Sequence, residues 1–204
     1  MISKRLVLFD LDGVLIDSRE NMSLAWAAVD KKYNLNVEFS DYFSNIGRPF
    51  KDILEILDIQ NNQSEIELTF NEISTKFIDK VSIYDGVDNL LFYLSNNNIK
   101  TGIITSKETK KTHKMLELID FKFDIVQTPN EELNGKPSPD HILFAMNQLN
   151  IPSSDVIYIG DMDVDYEAAS RAGVDFAFAS YGYGNCDFKN TIKLKNISNL
   201  MGIL

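Results

Sequence analysis

Leu6-Val7-Leu8-Phe9-Asp10-Leu11-Asp12-Gly13 is the stretch on which the fold turns. Four consecutive apolar residues ending in an acid are too short for a buried helix. They read as a strand covered on both faces, with the acids at its carboxyl end. Four further runs have the same character: Thr101-Gly-Ile-Ile104, Phe123-Asp-Ile-Val126, Val156-Ile-Tyr-Ile159 and Val174-Asp-Phe-Ala-Phe178. Helical patterns lie between most of them. Leu90, Leu91 and Leu94 mark one, and Met115, Leu116 and Ile119 mark another. A third opens at Ser138-Pro139, with Ser138 as N-cap and Pro139 in the first helical position, and continues through Ile142, Leu143, Met146 and Leu149. Strands alternating with helices predict an α/β fold, a doubly wound parallel sheet of the Rossmann-like kind.

One region breaks the alternation. Met22, Trp26, Val29 and Tyr33 recur at helical spacing, as do Ile66, Phe70, Ile73, Phe77 and Val81, with no convincing strand between the two stripes. The pattern predicts an α-helical insert over 18–82 within a core made of 1–17 and 83–204, returning near Tyr84-Asp85-Gly86. The aromatic stripes read as core packing. Asn96-Asn-Asn98 reads as a loop. The tail after Tyr181 is expected to loop over the sheet edge and to end in a short helix near Ile197 to Leu204.

Composition narrows the class. At 204 residues the chain suffices for one well-buried domain with a smaller insert. Its 44% hydrophobic and 25% charged residues are ordinary for a globular protein. A net charge of −10 disfavours nucleic acid and anionic membrane as partners, so an anionic substrate needs local cations. The single cysteine, Cys186, allows no intrachain disulfide and reads as an inert thiol in a reducing compartment. The apolar run at the N-terminus is too short for a signal peptide or a span. These features point to a cytoplasmic protein, and nothing in them demands more than a monomer.

The candidate chemistry lies at strand ends, where open α/β sheets bind ligands. Asp10 and Asp12 repel each other unless a cation joins them; the alternative is a solvated loop with helix-capping acids. Thr105 and Ser106 supply hydroxyls at a helix N-terminus, a natural phosphate contact that is compatible with Ser106 serving as an N-cap. Lys136 lies in Asn134-Gly-Lys136-Pro137-Ser-Pro139, where prolines stiffen the chain presenting its ammonium. Gly160-Asp161-Met-Asp163-Val-Asp165 brings three acids within five residues, suiting a hard cation with oxygen ligands. Asp161 is the best ligand candidate, Asp165 is placed to face the same mouth, and Asp163 reads as solvated.

Taken in order, FDLDG, the Thr-Ser-Lys end of the second strand, KPSPD and GDxxxD resemble the haloacid dehalogenase-like superfamily, from the first strand to the last core helix. The helical insert resembles that superfamily's first type of cap domain, and the layout is similar to the branch holding phosphoglycolate phosphatase and β-phosphoglucomutase. The resemblance implies a Mg²⁺-dependent phosphatase acting on a small phosphorylated metabolite. Asp10 would be the nucleophile forming an aspartyl-phosphate, and Asp12 the proton donor and then the base. Thr105 and Lys136 would hold the phosphoryl oxygens. Asp10, the backbone carbonyl of Asp12 and Asp161 would bind Mg²⁺, with Asp165 supporting the metal shell or Lys136.

Dehalogenases and phosphonatases of the superfamily lack an acid at the position of Asp12, which therefore argues for a C–O–P substrate. Gly47-Arg48-Pro49 resembles the cap loop that dips into related sites, which makes Arg48 a substrate-contact candidate and Lys51 a weaker one. Tyr181-Gly-Tyr-Gly184 reads more as an edge turn than as part of the mouth. His113 and His141 read as surface or satisfied residues away from the motifs. Two alternatives share these residue types. A phosphosugar mutase similar to β-phosphoglucomutase is disfavoured by Gly160, where similar mutases carry an acid. A phospho-acceptor resembling a receiver domain is disfavoured by the order of the motifs.

Overall fold

The computed structural model describes residues 4–185, 188 and 191–204. Cys186, expected to be an inert thiol, lies outside them. The chain opens with β1 (Leu6–Phe9) and a short strand β2 (Ile16–Asp17), then α1 (Arg19–Tyr33), α2 (Phe39–Phe43), α3 (Phe50–Ile56) and α4 (Gln63–Lys76). After β3 (Ser82–Ile83) come α5 (Val87–Asn96), β4 (Lys100–Ile104), α6 (Thr109–Leu116), β5 (Ile125–Gln127) and α7 (Asp140–Leu149). The chain continues through β6 (Val156–Gly160), α8 (Asp163–Ala172), β7 (Asp175–Ala179) and β8 (Ile192–Leu194) to a 3₁₀ segment over Ile197–Gly202.

Six strands form a parallel sheet in the order β5-β4-β1-β6-β7-β8. Alternation along β1 explains why every residue in it is apolar. Val7 and Phe9 enter a cluster with Leu90, Leu91 and Met115, whereas Leu6 and Leu8 enter another with Ile142, Ala145 and Ala168. Helices thus cover both faces. Phe9 stands opposite Ile103 of β4 and Ile159 of β6, so the three strands end at nearly one level. The sheet winds outward in both directions from β1, and the crevice beyond these ends is where such sheets bind ligands.

The insert has its own core, in which α1 lies along α4. Trp26 stacks on Tyr42 with ring centroids 4.4 Å apart, and Val29, Leu54, Ile66 and Phe70 pack around them. The chain leaves and rejoins the sheet through a two-stranded antiparallel ribbon pairing Ile16 with Ile83 and Asp17 with Ser82. Met162 and Val164, from the end of β6 and the start of α8, pack into the insert's core and seat it over the sheet.

Several local readings need correction. Helix α7 begins at Asp140, not Pro139; Pro139 holds the N-cap position, and the Ser138 hydroxyl donates to the Asp140 carboxylate at 2.6 Å instead of capping the helix. The cap of α6 is Glu108, which accepts from the N–H groups of Lys110 and Lys111, so Ser106 is not the N-cap. Strand β5 starts at Ile125, because Phe123 turns into the core and Asp124 accepts a hydrogen bond from the N–H of Thr101. Helix α4 stops at Lys76, and a 3₁₀ turn over Ile78–Lys80 precedes extended Val81. The tail adds a sixth strand, β8, before its terminal 3₁₀ segment. Three residues with one buried side chain were too short to show periodicity.

Candidate active site

Asp10 follows β1, and its N–H is held by the carbonyl of Ile159 at 2.8 Å. Its carboxylate is 4% exposed and lies 3.0 Å from the Lys136 ammonium. Lys136, expected in a loop, is itself buried, and it also lies 2.7 Å from Asp165. The fully buried Asp165 is held from all sides. It accepts from the Tyr158 hydroxyl at 2.9 Å and from the N–H groups of Asp161 and Met162 at 3.1 and 3.0 Å. Asp161, at the end of β6, accepts from the N–H of Tyr183 at 2.7 Å.

Carboxylate oxygens of Asp10, Asp161 and Asp165 lie within 4.8 Å of one another. One lysine cannot neutralise three buried acids, so full ionisation would leave an excess of about two negative charges in a dry site. Burial pushes Asp10 up to about 7 against the pull of Lys136. Burial, together with Asp165 and Asp10, holds Asp161 well above the ordinary carboxyl range. The charge of Lys136 is opposed by burial but held by Asp10 and Asp165, so its affinity for its proton rises. Asp161 Oδ1 is the telling atom: it is buried and has no hydrogen-bond partner among the described residues. A partnerless oxygen among crowded carboxylates is the donor set a hard divalent cation fits.

Asp12 stands apart from this cluster. Its carboxylate pairs with Lys107 at 2.9 Å and accepts a hydrogen bond from the Ser18 hydroxyl. Burial raises its pKa, but Lys107 and Ser18 outweigh burial and bring it below the ordinary value. Gly13 makes the separation feasible. It turns the chain at a φ of +78°, and a Cβ there would sit 2.1 Å from Asp161 Oδ2.

The remaining candidates divide. Thr105 is buried on the cavity wall, and its hydroxyl accepts from the N–H of Lys107. Ser106 also lines the cavity, yet its hydroxyl donates to the carbonyl of Gly47 at 2.7 Å and so ties the sheet end to the insert. Arg48 reaches the rim and pairs with Asp163 at 3.2 Å, so Asp163 is a partner of the insert and not merely solvated. Lys51 is exposed, pairs with Glu55 along α3 and is not among the residues lining the cavity.

Tyr181-Gly-Tyr-Gly184 is no ordinary edge turn. The Tyr183 hydroxyl accepts from the N–H of Ser18 and donates to Asp17, while Gly182 and Gly184 press against Asp161 closely enough to exclude a Cβ. His141 is buried with Nδ1 3.5 Å from Gln127, and His113 is exposed.

Lys107, Ser18, Tyr158, Tyr183 and Lys111 were not assigned roles from the sequence. Lys107 had a signal, since it directly follows Thr105-Ser106. Tyr183 lies in the Tyr181-Gly-Tyr-Gly184 stretch weighed against the mouth, but its meeting with Ser18 across 165 residues of chain had no local signal. Sheet ends and insert together enclose a cavity of about 70 Å³ lined by Asp10, Asp12, Thr105, Lys107, Arg48 and Phe70 among others.

Residues 7–179 match the haloacid dehalogenase-like hydrolase family. Over 190 residues the chain is 28% identical to pyrophosphatase PpaX of Oceanobacillus iheyensis, covering 92% of this chain and 88% of that one. Over 183 residues it is 27% identical to phosphoglycolate phosphatase of Aquifex aeolicus, covering 88% and 86%. A haloacid dehalogenase-like family hydrolase from Streptococcus pneumoniae superposes with a TM-score of 0.85 at 21% identity over 100% of each chain, a likeness of fold alone.

Proposed function

The chain belongs to the haloacid dehalogenase-like hydrolase family, and from that premise we propose that it is a Mg²⁺-dependent phosphatase of small phosphomonoesters. The observation that carries the reading is the partnerless Asp161 oxygen beside Asp10 and Asp165, with the Lys136 ammonium bridging the latter two. The relatives support it, one being a phosphoglycolate phosphatase and another a pyrophosphatase.

In this reading an oxygen of Asp10 attacks phosphorus, the bond from phosphorus to the ester oxygen breaks, and an aspartyl-phosphate remains. Lys136 and Thr105 hold the phosphoryl oxygens, because phosphoryl transfer needs alignment and charge compensation above all. Asp12 returns a proton to the leaving oxygen. The pairing of Asp12 with Lys107 and Ser18 keeps it ionised at rest, so that proton enters with the substrate's monoanion. Asp12 then takes a proton from water, which attacks the aspartyl-phosphate, frees orthophosphate and restores Asp10. Asp10, Asp161 and the carbonyl of Asp12 would hold Mg²⁺, with Asp165 fixing Asp161 and Lys136. When bound, the cation supplies the positive charge that keeps Asp10 ionised at neutral pH and offsets the phosphoryl oxygens.

Residues 18–82 serve as the cap over a core of 1–17 and 83–204, and the enclosed volume limits substrates to small metabolites. We place the enzyme in the cytoplasm as a monomer. No helix among the described residues is long and apolar enough to cross a membrane. Hydrolysis is favoured over the mutase alternative by Gly160: a Cβ there would sit 2.3 Å from that of Asp165, which leaves no room for an acid.

Phosphate release from a panel of phosphomonoesters with Mg²⁺ tests the reading. Release should stop on chelation, and Asp10→Asn should lower it by roughly a thousandfold or more with the fold intact by circular dichroism. Near-normal turnover by Asp10→Asn would reject the nucleophile. A requirement for a bisphosphate activator with little net release would favour the mutase.

A further inference from the structure

One cation on the cavity wall has no part in the chemistry proposed so far. Lys111, in the first turn of α6, is 4% exposed. Lysines this deep are ordinarily paired. Yet among the described residues no carboxylate oxygen lies within 4.0 Å of its ammonium, which meets the Lys107 side chain and the ring face of Phe70 in α4, 4.5 Å from the centroid.

The other charges around the cavity are engaged. Lys107 meets Asp12, Arg48 meets Asp163, and both oxygens of Glu108 accept from backbone N–H groups of α6. Glu67, on α4, lies beyond ion-pair distance of Lys111. Burial and the nearby Glu108 raise its affinity for a proton, which weakens it as a counter-charge. Burial and the neighbouring Lys107 cation push Lys111 well below the ordinary lysine range, against the weaker pull of Asp12 and Glu108. Asp12 is the one carboxylate paired with these two ammonium groups among the described residues, so a further anion would relieve the remaining charge.

We propose that Lys111, with Lys107 beside it, binds a second anionic group on the substrate. This rests on the phosphatase reading and narrows it: the preferred substrates are compact phosphomonoesters bearing a further carboxylate or phosphoryl group near the leaving oxygen. Position follows from connectivity. Asp12 serves the leaving oxygen, Lys107 touches Asp12, and the side chain of Lys111, from the first turn of α6, meets that of Lys107, which precedes the helix. The second charge therefore sits within a few bonds of the bond that breaks. The 70 Å³ cavity agrees, with room for about five to seven waters at roughly 10–15 Å³ each.

The test compares 2-phosphoglycolate and ethylene glycol bisphosphate with ethyl phosphate, using the full chain with Mg²⁺. Wild type should favour both doubly anionic esters over ethyl phosphate by about tenfold or more in kcat/KM. Lys111→Met should erase most of that preference, chiefly through KM, and Lys111→Arg should restore it. If the carboxylate ester alone is favoured, the partner is a carboxylate; if the bisphosphate alone, a phosphoryl group.

Binding by calorimetry separates this inference from the phosphatase reading. Phosphonoacetate should bind wild type more tightly than methylphosphonate does, and Lys111→Met should lose the difference. Without ligand, Lys111→Met should melt no lower than wild type, because an unpaired buried cation has been removed. Equal handling of singly and doubly anionic ligands by wild type would overturn the proposal, even with hydrolysis intact. So would a preference that survives Lys111→Met. Failure to hydrolyse any ester would instead reject the phosphatase reading, and the phosphonate binding would still decide the role of Lys111.

Discussion

The floor and the roof of the cavity are built on opposite principles. On the floor, at the ends of β1, β4 and β6, nearly every polar atom has a partner: Asp165 alone accepts from Lys136, Tyr158 and two backbone N–H groups. The roof, formed by the insert, is held by aromatic packing such as Trp26 on Tyr42. It touches the floor through a few polar links, Ser106 to Gly47 and Arg48 to Asp163. A buried ionic network resists displacement because each broken contact strands a charge in a dry site. Apolar contacts joined by single hydrogen bonds tolerate small shifts. On the proposed reading, the arrangement would fix the geometry of the reacting groups and leave the insert, joined through its ribbon, freer to adjust to the substrate.

Lys136→Met should break the floor. Removing the cation that bridges Asp10 and Asp165 should cost about 3–5 kcal/mol of stability, read from denaturant unfolding, and activity should be lost with it. A loss under about 1 kcal/mol would mean that the network is not the rigid part of the site.

A smaller effect should appear in the pH dependence of the metal-free protein. Asp10 titrates at about 7 in the folded chain against an ordinary 3.8. Between those values the folded state keeps a proton that the unfolded state has released, so stability is higher at the acidic end and declines as pH rises towards 7. The melting temperature should fall over that window, and less in Asp10→Asn. Added Mg²⁺ should raise it more at pH 8 than at pH 5. Equal slopes for wild type and Asp10→Asn would remove Asp10 as the source.

The roof should respond least. Ser106→Ala removes one neutral hydrogen bond to Gly47 and should cost about 1 kcal/mol, with KM moving more than kcat. A kcat loss as large as that of Lys136→Met would erase the distinction between roof and floor.

Much of the floor was legible because its residues lie at strand ends. Leu6-Val-Leu-Phe9 had to be a buried strand, so Asp10 and Asp12 had to emerge from it, and Val156-Ile-Tyr-Ile159 delivered Asp161 in the same way. The aromatic stripes marked α1 and α4 through their period. Short helices such as α2, with five residues, and the three-residue β8 carry too few turns or alternations to be read.

The sequence by itself determined the doubly wound core, the helical insert and the acids, because strand burial and helical amphipathicity are written in local spacing. Only the tertiary structure decided how those acids are divided. It set Asp12 apart with Lys107 and Ser18, joined Asp10 to Asp165 through Lys136, left one Asp161 oxygen without a partner, and buried Lys111 against Phe70 of the insert. Charge, burial and partnership depend on which distant segments meet, and no spacing along the chain records that.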